Sequence, residues 1–173
     1  MLINGKQISL KRLTEEFATD TYACWMNDKA INQYLESRFC YQTIETLKEF
    51  IQSVSNDRNY AFAIIDNESG KHIGNIKIGS IDKRYSRADL GFLIGDKAFW
   101  GKGVASEAIG LCVTFAFEIL KLHKIYGGVY SQNIGSIKAF LKNGFSQEGI
   151  FHDHCILNNG EYTDIIMFAK FNK

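Results

Sequence analysis

Apolar and polar residues alternate from Gln7 to Leu13 (Gln-Ile-Ser-Leu-Lys-Arg-Leu), which predicts a strand with one buried face. Thr14 follows as the N-cap of a predicted helix. Glu15 and Glu16 lie in its first turn, and Phe17, Tyr22, Cys24 and Trp25 form its apolar side up to Asn27-Asp28. A short helix or loop covers Ile31 to Phe39. Ile44, Leu47, Phe50, Ile51 and Val54 then recur at helical spacing, so Thr43 to Val54 reads as an amphipathic helix capped by Thr43.

The second half of the pattern begins with a hairpin. Tyr60 to Ile65 and His72 to Ile81 are strands joined by the polar turn Asp66 to Lys71. Ile73 and Ile76 are out of phase for strict alternation, which predicts a bulge near Gly74-Asn75. Ala88 to Ile94 is short and apolar enough for a buried strand, and Val104 to Leu122 has helical spacing. Lys124 to Tyr130 is the next strand. The right-handed crossover rule places it parallel to residues 88–94. Asn133 caps a helix that Gly144 closes, and the Asn158-Asn159-Gly160 turn joins two last strands, 147–157 and 161–169. This order of elements predicts a mixed α+β fold.

Between the buried strand and the long helix lies Trp100-Gly101-Lys102-Gly103-Val104-Ala105. Two glycines let the backbone turn sharply and approach a ligand, and the first amides of the following helix are unpaired donors. With the positive end of the helix dipole and Lys102 beside them, they suit a diphosphate. A glycine turn leading into a core helix without a ligand has the same local sequence.

Composition narrows the picture. The chain has 173 residues, 46% of them hydrophobic and 23% charged, enough for one domain (1–173) with a full core and no metal or disulfide staples. A net charge of +1 gives no broad attraction to nucleic acid or membrane. Cys24, Cys40, Cys112 and Cys155 lack zinc-ligand spacing, so reduced and mostly buried thiols are expected, pointing to the cytoplasm. No export signal or membrane-length apolar run is present. His152 and His154 are two apart on a predicted strand and share a face, yet no third ligand has convincing spacing, so no metal is expected.

The run Trp100 to Ala108 resembles the acetyl-CoA signature of the GCN5-related N-acetyltransferase (GNAT) superfamily, in particular the branch of the ribosomal-protein-alanine acetyltransferases (RimJ/RimL-like). The superfamily writes this loop as Gln/Arg-x-x-Gly-x-Gly/Ala, and Trp100 stands where Gln or Arg is usual. Asn133, Ser136 and Gly144-Phe145 resemble the second signature, while Glu148-Gly149 and Tyr162-Thr163-Asp164 also match the branch. The likeness covers nearly the whole chain. It implies the GNAT fold, a mostly antiparallel twisted sheet of about seven strands with one splayed parallel pair and about four helices. It also implies transfer of an acetyl group from acetyl-CoA directly to a primary amine of a small molecule or protein N-terminus.

Residue by residue, the resemblance places pantetheine along Phe92, Leu93 and Ile94, the diphosphate on Trp100, Gly101, Lys102, Gly103, Val104, Ala105 and Ser106, and Asn133 and Ser136 beside the thioester arm. A backbone N–H near Leu93 then holds the developing oxyanion, a contribution of about 3 kcal/mol. Asp89 is the candidate base, against which stands simple pairing with Arg87 or Lys77. Many members carry a tyrosine acid seven residues after the asparagine. Phe140 occupies that position here, leaving Ser136 as the nearest polar substitute. Tyr34, Glu36 and Arg38 are candidates for the acceptor wall, and His154 for the acceptor pocket or an alternative base. Competing expectations are a CoA-binding module without catalysis and an acetyltransferase of nucleotide-linked amino sugars. A homodimer through the last strands is compatible with the pattern.

Overall fold

A computed structural model describes residues 1–172. Its centre is one eight-stranded sheet in the order β1-β2-β3-β4-β5-β6-β8-β7, with β1 Leu2–Asn4, β2 Ile8–Arg12, β3 Tyr60–Asp66, β4 His72–Asp82, β5 Arg87–Ile94, β6 Lys124–Tyr130, β7 Ser146–Ile156 and β8 Tyr162–Phe171. β5 and β6 are parallel, and the other described neighbours are antiparallel. The short β1 raises the strand count above the seven expected.

Alternation along the strands divides the core in two. Phe62 and Ile64 of β3 join Ile76, Ile78, Ala88, Leu90, Ile125 and Val129 beneath α4 (Val104–Thr114) and α5 (Ile134–Lys142). Burying each large side chain there contributes about 1.5–3 kcal/mol. The intervening Ala61 and Ala63 are small. On their face, α1 (Asp20–Asn27) and α3 (Ile44–Ser53) supply the bulk through Tyr22, Trp25, Leu47 and Ile51. Phe50, expected in the α3 stripe, is exposed.

Local chemistry moves several boundaries. Thr14 does not cap a helix, because its hydroxyl donates to the Glu16 carboxylate and Glu15–Phe17 makes only a 3-10 turn. α1 starts at Asp20, where Thr19 accepts from the Tyr22 amide at 3.3 Å. A fifth helix, α2 (Lys29–Asn32), is capped by Asp28, and Thr43 and Thr46 form a reciprocal capping box on α3. The long predicted helix is α-helical only to Thr114; from Phe115 to Ile119 it widens into a π turn. The β4 bulge falls where Ile65 pairs with His72 and Ile64 with Gly74, so Ile73 is the extra residue. Only Cys112 of the four cysteines is buried; Cys24 is on the exposed side of α1, and Cys40 is exposed at the end of the Glu36–Phe39 turn. Among the described residues no helix is long and apolar enough to cross a membrane.

Candidate active site

The site begins where the parallel strands part. β5 and β6 pair only at Arg87 with Lys124, Ala88 with Ile125 and Asp89 with Tyr126. β5 then continues to Ile94 alongside β4, while β6 follows β8, so from Leu90 onward a V-shaped cleft opens between them. Gly127 sits just past the last pair, and a Cβ there would come within 2.8 Å of the Leu90 carbonyl. Phe140 is 2% exposed and packs on Phe92, Phe145 and Phe168 with ring centroids 4.9–5.9 Å apart, wedging the strands from below. Phe92, Leu93 and Ile94 thus lie on a strand edge with no pairing partner among the described residues on the β6 side.

At the open end of the V stands the glycine loop. Gly101 and Gly103 have φ of 73° and 83°, the left-handed region that disfavours side chains, and nothing lies within 4 Å of where their Cβ atoms would project. Glu107 donates its amide to the Gly103 carbonyl as the first bond of α4, so the amides of Val104, Ala105 and Ser106 are the helix's unpaired donors. A free strand edge, an open glycine turn and a helix N-terminus fit the pantetheine and diphosphate of CoA. The loop is held on both sides. The Trp100 indole donates to the Ile94 carbonyl at 2.8 Å, and Asn143, just past the end of α5, donates to the carbonyl and hydroxyl oxygens of Ser106 at 2.9 and 3.0 Å. Lys102 and Lys142 line the adjoining surface cavity. Glu107 accepts from the backbone amides of Lys6 and Gln7 and from the Gln7 side chain, which fastens the β1–β2 turn to α4.

Asp89 occupies the apex. Its carboxyl is 31% exposed, Lys77 lies 3.9 Å away, and Oδ1 is buried without a hydrogen-bond partner among the described residues. Arg87, the other partner considered, instead lies over the Tyr85 ring. On the same sheet face, the β4 bulge brings His72 and Asn75 together at 3.0 Å. Burial among Phe17, Tyr22 and Trp25 pulls the His72 pKa below its ordinary value.

The far wall gathers three predicted residues around Tyr130, which the sequence reading missed. The Tyr130 hydroxyl donates to Glu36 Oε1 at 2.5 Å and accepts from Arg38 Nη1 at 3.0 Å, and its ring lies 5.5 Å from that of Tyr34. Burial and the Glu36 hydrogen bond raise the Tyr130 pKa above the usual tyrosine range. Its position at the end of a strand, three residues before Asn133, was the available signal. Asn133 Oδ1 caps α5 by accepting from the Ser136 amide at 3.1 Å, which places both residues at the mouth of β6.

His154 is not drawn into this group. Two extra residues in β7 between Phe151 and Cys155, with Asp153 at φ 49°, break the alternation expected of His152 and His154. His152 pairs with Asp164 at 3.1 Å, Cys155 Sγ lies 4.0 Å from Glu36, and the exposed His154 ring packs on Phe151.

Comparison with known proteins agrees with this geometry. The family model for the acetyltransferase (GNAT) domain matches residues 7–146. A probable N-acetyltransferase of Bacillus subtilis (strain 168), YjcK, is 34% identical over 137 residues, covering 76% of this chain and 75% of that protein. Spermidine N-acetyltransferase from Vibrio cholerae, crystallised with CoA and spermine, superposes with a TM-score of 0.86 at 24% identity over 96% of both chains. RimL, a ribosomal L7/L12 alpha-N-protein acetyltransferase in complex with CoA, gives 0.88 at 18% identity over 99% of this chain and 98% of its own. The splayed strands, the glycine loop and these likenesses together establish that the chain belongs to the GNAT family of acetyltransferases.

Proposed function

We propose that the chain is an acetyl-CoA-dependent N-acetyltransferase that acetylates a primary amine, on a small molecule or at a protein N-terminus, in one direct step. The observation that carries this reading is the unpaired β5 edge leading into the open glycine turn at the head of α4. The spermidine and ribosomal-protein acetyltransferases among its relatives support an amine acceptor.

In this reading the amides from Gly101 to Ala105 hold the diphosphate and Lys102 adds positive charge. The β5 edge from Phe92 to Ile94 aligns the pantetheine arm as an added strand would, with Asn133 beside it. Acetyl-CoA supplies the activated acyl group. The N–H near Leu93 polarises its carbonyl, and Asp89 takes the proton of the attacking amine, directly or through water. The unpartnered Oδ1 favours Asp89 for this role over a purely structural ion pair. Phe140 cannot donate a proton, so the Ser136 hydroxyl is assigned a hydrogen bond to the departing thiolate, which leaves as the anion and takes its proton from water. Tyr34, Glu36 and Arg38 wall the acceptor.

The test is thiol release from acetyl-CoA with a panel of amines. Asp89→Asn is expected to lower turnover at least tenfold while CoA affinity stays constant; unchanged turnover removes Asp89 from the mechanism. Gly103→Val forces a branched side chain into a left-handed backbone position and is expected to abolish CoA binding, and wild-type affinity in that variant refutes the loop assignment. Tight CoA binding with no turnover on any amine favours the non-catalytic CoA-binding reading.

A further inference from the structure

We infer that the wall of the acceptor cleft contains a separate site for a small oxyanion, a phosphate or carboxylate group held between α1, α2 and the β7–β8 turn. The observation begins with Arg38, whose side chain is only 3% exposed. Its terminal nitrogens donate to the Leu35 carbonyl, the Tyr130 hydroxyl and the Ile156 carbonyl, but Nε has no partner among the described residues. The carboxylate nearest to it, Glu36, is 3.8 Å away, 72% exposed, and already accepts from Tyr130. Apart from that exposed carboxylate and the rings of Phe39 and Tyr130 against the guanidinium, only dipoles meet this charge, and a buried cation is costly unless an anion or a full set of acceptors meets it.

Beside Arg38 lies a cavity of about 290 Å³ lined by Asn27, Lys29, Asn32, Tyr41 and Asn158 as well as Arg38 itself. No carboxylate of the described residues lines it. Asp28, the acid next in sequence, is committed to Lys97 at 2.6 Å and to the Ala30 amide at 2.8 Å. The walls are fixed: Asn27 donates to the Ala23 and Gln42 carbonyls and accepts from the Gln42 amide, and Asn32 donates to the Met26 carbonyl. Arg38, Lys29, the Tyr41 hydroxyl and the amides of Asn32 and Asn158 are donors around this polar space, while Asn27, whose N–H groups are both spent, only shapes its wall; that donor set recognises an oxyanion. Since Arg38 also ties the Glu36–Phe39 turn to Tyr130 and Ile156, an anion seated here stiffens the wall that carries Tyr34 and Glu36.

Thermal unfolding tests the site, with CoA saturating so that the glycine loop is closed to added anion. At an inorganic phosphate concentration tenfold above its Kd, the wild-type Tm is expected to rise by roughly 3–5 °C over chloride of equal ionic strength. Lys29→Gln should reduce that rise by more than half. Asn158→Asp, which places a negative charge in the lining, should abolish it. Absence of a rise in the wild type, or an equal rise in both variants, overturns the proposal. Thiol release with uncharged amines, measured on the same proteins, separates this site from the transfer reaction, because Lys29→Gln is expected to leave that release unchanged. Phosphoethanolamine and ethanolamine as acceptors distinguish the anion's source. A KM raised in Lys29→Gln for the phosphorylated amine alone assigns the pocket to the substrate, and an unmoved KM with the phosphate shift lost assigns it to a free anion.

Discussion

At the scale of single residues, position 140 shows how packing limits chemistry. The Phe140 ring points at Gly127, whose absent Cβ would lie 2.8 Å from the ring's far carbon, so a hydroxyl on that carbon has no room. Phe140→Tyr is therefore expected to destabilise the fold by about 1–3 kcal/mol through overpacking, and not to raise turnover. Urea denaturation together with a steady-state assay checks both halves, and a faster enzyme of unchanged stability would show that the ring can swing into the cleft. Sequence alone identified this residue as a departure from the family's usual acid but could not show the reason, which lies in contacts between α5 and β6. Asp89 became a candidate through its place before Leu90-Gly91-Phe92, and the fold sets it where β5 and β6 part. Tyr130 was not, because its partners Glu36 and Arg38 are more than ninety residues away and carry no shared periodicity.

Among elements, the sheet was read well because β2, β3 and β5 alternate or are continuously apolar and the Asn-Gly turn marks the last hairpin, and the parallel β5–β6 pair followed from the crossover helix between them. Helix starts were harder, since Thr14 and Thr19 both offer a capping hydroxyl and only three-dimensional packing selects Thr19. β1 escaped notice because three residues are too few to display a period. Its turn is nonetheless coupled to the helix that follows the glycine loop, since Glu107 in the first turn of α4 receives the amides of Lys6 and Gln7. Glu107→Ala should cost about 1–3 kcal/mol, read as a fall in Tm of roughly 2–4 °C per kcal/mol, and should increase hydrogen exchange at the β1–β2 turn. Unaltered exchange there would mean the turn is held by the strands alone.

For the molecule as a whole, the packing of α1 onto the sheet gives stability one acid-sensitive contribution. His72 lies on β4 inside the ring formed by Phe17, Tyr22 and Trp25, where burial lowers its pKa from the ordinary 6.5. The unfolded chain binds this proton more readily, so the stabilisation is complete above about pH 6.5 and is lost as the pH falls through the depressed folded value. His72→Phe keeps the aromatic contacts and removes the proton uptake. The wild-type Tm is thus expected to fall more steeply than the variant's between pH 6.5 and 5, and parallel curves would assign the acid sensitivity to other groups.

The chain has two tryptophans, and the fold gives them separate duties. Trp25 is enclosed under the sheet, whereas Trp100 stands 46% exposed with its indole nitrogen fastened to the last carbonyl of β5, at the junction of strand edge and glycine turn. Trp25→Phe therefore leaves one indole beside that turn, and the docking of coenzyme proposed there is expected to change its fluorescence on mixing with acetyl-CoA, in real time and without any label.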